Sequence, residues 1–179
     1  MTGAAFVGGE LILQTGCKSE KTIKALSLFN NEQITLLDEI GDIIIPTTDT
    51  PGAKAAQIGS FINKIATDCY SKNEQDILVK GIEKMKLDFE KKYSTSFVEA
   101  PINQRNEFLN AVNLEMKQYT QNKKYEDPEH YFLMLKQLTI LGYFTSEIGA
   151  SKTLNYIPVP TKYDGNYPYK VGDKAWATS

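Results

Sequence analysis

The sequence predicts an all-α domain, a bundle of about five helices that carries an extended Pro- and Tyr-rich C-terminal tail. Three observations lead there. Apolar residues recur at helical spacing from residue 31 to about residue 150. The breaks in that pattern fall on helix-stop and helix-start residues, at Pro46, Ser71, Pro101 and Asp127-Pro128. After about Tyr156 the periodicity ends, because each proline of Ile157-Pro-Val-Pro160 lacks an N–H and biases its predecessor to an extended backbone. Four stretches follow: 1–17, a signal-like segment; 18–30, a tether; 31–156, the helical domain; and 157–179, the aromatic tail.

Asn31 is a plausible N-cap, and Ile34, Leu37, Ile40 and Ile44 repeat on one face until Pro46 ends the first helix. Thr47 to Gly52 is rich in turn formers. The second helix carries Ile58, Phe61, Ile62, Ile65 and Cys69 on a single stripe, so Cys69 is expected in the core. Ser71 and Glu74 form an S-x-x-E capping box that opens the third helix. Its stripe is Leu78, Ile82, Met85 and Phe89, with Lys80, Lys84, Lys91 and Lys92 on the wet side.

Pro101 suits the first turn of a fourth helix with Leu109, Val112, Met116 and Tyr119 facing inward. Asp127-Pro128-Glu129 reads as the N-cap, first residue and acidic first turn of a fifth helix that runs to about Ser146. That helix is apolar nearly all round, from Phe132 through Leu135, Leu138, Ile140 and Leu141 to Phe144, and is expected to be the central, most buried one. Each large apolar side chain buried in such a bundle contributes roughly 1.5–3 kcal/mol.

Composition excludes several classes of function. Lys plus Arg number 20 against 22 Asp plus Glu, a net charge of -2, so the broad basic footprint of a nucleic-acid binder is absent. Arg105 is the single arginine, which leaves little for bidentate recognition of phosphates. With two Cys and one His the chain cannot supply a four-ligand Cys/His zinc site. Asp38 and Asp42 share a helix face like an acid–base pair, but read better as solvated or helix-terminating residues. His130 is expected to be a surface or packing residue, since the C-x-x-C-H haem motif is missing. No G-x-G-x-x-G, P-loop or G-x-S-x-G is present. Catalytic, cofactor-binding and metal-binding residues are therefore assigned to none of the positions in this chain.

The N-terminal run Gly3 to Leu13 has the length of a signal-peptide apolar core and falls short of the ~20 residues of a membrane span. Gly16 directly before Cys17 places a small residue at the bond a lipoprotein peptidase would cut, leaving Cys17 to carry the lipid. Gln14 stands where Leu is usual, Glu10 interrupts the apolar run, and no basic stretch precedes it. A start upstream of Met1, with a twin-Arg signal, would account for these departures. The competing reading is a packed helical N-terminus with a free thiol. Export to the periplasm or to a lipid-anchored position on the membrane is the expectation, with membrane contact through that anchor alone.

The tail gathers Tyr156, Tyr163, Tyr167, Tyr169 and Trp176. Together with Pro158 these are the candidate partner-interface residues, because Tyr and Trp offer large contact areas at low conformational cost. The alternative is that the tail straps its own bundle.

Three segments in this order resemble one family: Leu37-Asp-Glu-Ile-Gly-Asp-Ile-Ile-Ile-Pro46, Thr50-Pro-Gly-Ala53, and Gly142-Tyr-Phe-Thr-Ser146 followed by Tyr156, Pro158 and Tyr163. Together they resemble the gluconate 2-dehydrogenase subunit 3 family, small subunits of bacterial flavin-dependent sugar dehydrogenases, over about residues 32–168. The resemblance implies an accessory role. The partner would be a large FAD-binding subunit of the glucose-methanol-choline oxidoreductase type, with a cytochrome or another acceptor receiving the electrons. FAD would sit in the partner, and this chain would stabilise that subunit and help carry it through export. Gluconate, glucose, fructose or a glycoside oxidised at C3 are the substrates such complexes take. The alternative of a different class is a stand-alone lipid-anchored scaffold or carbohydrate-binding lipoprotein, in which the aromatic tail stacks on a sugar.

Overall fold

The structure, a computed structural model, describes residues 27–159, 161–162 and 164–177. Within them the chain forms five α-helices: α1 (Asn31–Ile44), α2 (Ile58–Cys69), α3 (Lys72–Tyr93), α4 (Ile102–Asn122) and α5 (Tyr131–Thr145). A 3-10 turn, Ala53–Ala56, leads into α2, and a π-helical turn, Gly149–Thr153, follows α5. The expected all-α architecture is what the structure has.

Several helix starts differ from the expectation by small, explicable amounts. The N-cap of α1 is Asn30 rather than Asn31, because Asn30 Oδ1 accepts the Gln33 N–H at 2.9 Å while Gln33 Oε1 accepts the Asn30 N–H at 3.0 Å. The box expected at α3 is present: Ser71 Oγ accepts from Glu74 N, and Glu74 Oε2 accepts from Ser71 N at 2.8 Å. Pro101 is the N-cap of α4, one place before the first-turn position expected of it.

The largest shift is at α5, which begins at Tyr131, with His130 and not Asp127 as its cap. Asp127 Oδ2 instead closes a turn by accepting the Lys124 N–H at 2.8 Å. The Pro128 carbonyl accepts the Tyr119 hydroxyl at 2.8 Å and so ties the connection back to α4.

The apolar stripes close one core. Leu37, Ile40, Ile58, Ile62, Leu78, Ile82, Met85, Leu135 and Tyr143 are almost completely removed from solvent. Phe89 anchors an aromatic group, with Tyr93, Phe97 and Phe108 at ring-centroid distances of 4.7, 4.9 and 5.1 Å. The expected lysines of α3 are exposed. α5 contacts each of the other four helices, as a central helix should.

Two expectations about burial are corrected. Cys69 is exposed, not in the core, because it closes the last turn of α2 and Ala66 fills the inward position one turn earlier. α5 is not buried all round: Ile140, Leu141 and Phe144, one helical stripe, face solvent.

α2 is held by side chains from outside it. Asp38 of α1 accepts the Gly59 N–H with Oδ1 at 2.8 Å, satisfying one of the free amides in the first turn of α2. Gln75 of α3, itself buried, lends its Nε2 to the carbonyls of Ala66, Thr67 and Tyr70 at 3.0–3.2 Å at the other end.

Candidate docking surface

The three segments quoted above meet in space. The Tyr143 hydroxyl, on an almost fully buried side chain, donates to the Pro51 carbonyl at 2.5 Å and pairs with Thr153 Oγ1 at 2.7 Å. Gly41 and Gly142 both pack against Ile58, and a Cβ on either would fall well inside van der Waals contact of it. Leu37, Ile40, Ala53 and Ile58 complete the cluster, all with no measurable exposure. These segments therefore work as a packing knot that joins α1, the 46–57 connection, α2 and α5. Leu37, Ile40, Gly41, Gly52, Ala53, Gly142 and Tyr143 of these segments are buried there, while Pro46, Phe144, Tyr156 and Pro158 stay exposed.

Two carboxylates of α1, Asp38 and Glu39, are also taken up internally. Asp38 is occupied by Gly59 N, and burial pushes its carboxyl upward against that hydrogen bond. Glu39 accepts from Lys54 Nζ at 2.5 Å and from Arg105 Nη1 at 2.7 Å. Burial alone would raise its carboxyl, but the two cations together outweigh that and hold it below the usual carboxylate range. Glu39 is 13% and Arg105 17% exposed, so the single arginine works as a tie between α1 and α4. Lys54 and Arg105 are brought to this helix by the fold.

His130 lies between Tyr119 and Tyr131, with ring centroids 5.4 and 4.7 Å away. Its Nδ1 accepts the Phe132 N–H at 3.1 Å, which requires that nitrogen to be unprotonated. Burial lowers its pKa, assisted by Lys84 and opposed by Glu115. It serves as a helix cap, in line with the packing role expected of it.

Among the described residues a shallow groove of about 290 Å³ is lined by Leu36, Phe97, Glu32, Lys86, Glu90 and Ser96. Nothing in it pairs a nucleophile with a base. Several polar side chains of the helices and connections are used in caps and ties, while many charged ones stay exposed beside some large apolar side chains.

Leu87, Val98, Ile102, Leu114 and Tyr125 are exposed singly over the bundle, and the other exposed large apolar side chains gather in two places. The first is the α5 stripe of Ile140, Leu141 and Phe144. The second is the tail, where Tyr156, Ile157, Val159, Tyr167, Tyr169, Val171 and Trp176 are exposed, Tyr169 by 75% and Val171 by 98%. Of the candidate interface residues, Tyr156, Pro158, Tyr167, Tyr169 and Trp176 lie on this surface. Tyr167 and Trp176 meet edge to face at 5.3 Å. Tyr163 and the candidate lipid-bearing Cys17 lie outside the described residues. The stripe on α5 was not legible, because a helix apolar all round carries no period that marks which side stays uncovered. The tail's partner within the chain, Asn155, carries no sequence signal.

A profile of the gluconate 2-dehydrogenase subunit 3 family matches residues 31–161. The chain belongs to that family. The match spans all three segments of the packing knot and ends within the tail. No curated protein matches the chain, and neither does any solved structure. The family's name describes the third subunit of a gluconate 2-dehydrogenase, which implies a multi-subunit complex. Among the described residues no helix is long and apolar enough to cross a membrane.

Proposed function

We propose that this chain is a non-catalytic accessory subunit that stabilises a larger, FAD-dependent sugar or glycoside dehydrogenase and docks it through the tail from Tyr156 to Trp176. The observation that carries this reading is the exposed set of large apolar and aromatic side chains in the tail, on a bundle whose core is already closed, in a chain that belongs to a family of subunits. An exposed apolar surface of that kind marks an interaction site. The flavin, and with it the oxidation of the sugar, is placed in the larger subunit, from which electrons pass to a cytochrome or another acceptor. The small subunit's task is to order and hold.

Export belongs to the same proposal: the pair travels together to the periplasm, where a lipid on Cys17 tethers it. Labelling with a radioactive fatty acid tests the anchor, with label expected on the intact chain and lost in Cys17→Ser.

The test of the docking role is co-expression with the neighbouring reading frames, affinity purification through this chain, and an absorbance spectrum of the eluate. A yellow eluate containing a second, larger polypeptide in equal amount is the expected result. A single colourless polypeptide, with expression of the neighbours verified, would overturn the proposal.

A further inference from the structure

We infer that the tail meets its partner as a loop closed in advance, with Asn155 as the clasp at its base. The inference rests on the docking role proposed above and specifies how the surface is presented. Asn155 and Trp176 lie side by side in a parallel bridge. The Asn155 N–H donates to the Ala175 carbonyl at 2.8 Å, and the Ala177 N–H donates to the Asn155 carbonyl at 2.8 Å. The Asn155 side chain adds a third bond, Nδ2 to the Lys174 carbonyl, also at 2.8 Å. Lys174 Nζ then reaches back to the Lys152 carbonyl at 2.5 Å. One residue thus uses its donor, its acceptor and its amide to fix the returning chain beside the π-helical turn.

Inside the closure the loop is shaped locally. Asn166 N donates to Asp164 Oδ1 at 3.1 Å, Lys170 N donates to Asp173 Oδ2 at 2.7 Å, and Tyr167 packs edge-on against Trp176. The side chains of Ile157, Val159, Tyr169 and Val171 are spent on neither the clasp nor the bundle. A free tail of this length would lose its conformational freedom on binding; a tail already closed loses less, and its affinity per contact is higher.

The occupant is a protein surface of the larger subunit. The charges of the described loop alternate in sign, Lys162, Asp164, Lys170, Asp173 and Lys174, and so present no one-signed field for an anionic polymer or membrane surface. The exposed aromatic and β-branched side chains suit an apolar interface core.

Asn155 is therefore a positioning residue, tested with the full-length chain. Hydrogen exchange on the free chain reads the clasp directly. The amides of Asn155 and Ala177 are expected to be protected while those of Tyr169 and Val171 exchange quickly. Asn155→Pro removes both the donor N–H and the side-chain amide, and follows Leu154, whose extended backbone a proline accepts. Titration into the larger subunit is expected to show binding about tenfold weaker for this variant, with unchanged helical circular dichroism. Tyr169→Ser is expected to weaken binding while leaving the protection of Asn155 and Ala177 intact.

Rapid exchange at Asn155 and Ala177 in the free wild-type chain would overturn the clasp. So would full affinity of Asn155→Pro alongside weakened binding by Tyr169→Ser. If both variants bind as the wild type does, the docking surface itself is misplaced and the clasp falls with it.

Discussion

The Tyr143 hydroxyl donates its one proton to the Pro51 carbonyl and so accepts from the Thr153 hydroxyl, joining two groups that lie far apart in the chain. Tyr143→Phe keeps the ring and removes both bonds, leaving the half-buried Pro51 carbonyl without this donor, and is expected to cost about 1–3 kcal/mol, read as a lower urea midpoint. His130 gives a second residue-scale prediction. Burial depresses its pKa below the ordinary 6.5, so the unfolded chain takes up the proton first as pH falls. Stability from this group is complete above about pH 6.5 and is lost as pH drops through that value toward the folded pKa. His130→Asn keeps a capping acceptor without a proton to bind. The stability difference between wild type and variant is expected to shift toward the variant from about pH 7.5 to pH 5, as measured by thermal melts at each pH. An unchanged difference would mean that burial does not depress the imidazole. His130 was legible as a packing residue because haem and metal partners are missing, whereas its capping bond depends on where the helix begins.

At the scale of elements, the helices themselves were legible and their ends were less so. Stripes such as Leu78, Ile82, Met85 and Phe89 survive unchanged from sequence to structure because a 3.6-residue period leaves one solution. The start of α5 moved three residues because Asp127 and Pro128 carry a helix-start pattern, yet Asp127 closes the Lys124 turn and the Pro128 carbonyl goes to Tyr119. The supports of α2 could not be read at all, since Asp38 and Gln75 act on backbone groups distant in sequence. Gln75→Leu fits the same buried space but leaves the C-terminal carbonyls of α2 without their donor. A loss of about 1–3 kcal/mol is expected, with the exchange of α2 amides accelerated more than that of α4. Equal acceleration in both helices would show that Gln75 stabilises the fold as a whole and not α2 in particular.

At the scale of the whole molecule, the division of labour follows from where the side chains end up. The segments around Gly41, Gly52 and Tyr143 pack against one another and join α1, α2 and α5. Composition already indicated that chemistry was poorly provided for, and the aromatic tail already stood out as material in need of a surface to lie against. What could not be read was that the tail returns to Asn155, a contact across about twenty residues with no periodic signature, or that α5 leaves Ile140, Leu141 and Phe144 uncovered.

The central claim is that the bundle folds by itself and the tail binds the partner. It is tested most directly by deleting residues 157–179 and measuring, on one preparation, helical circular dichroism and the flavoprotein recovered with the chain. Full helix content with loss of the flavoprotein is the predicted result. Undiminished recovery of the flavoprotein by the shortened chain would contradict the claim, and so would collapse of the helices, which would make the tail a strap on its own bundle.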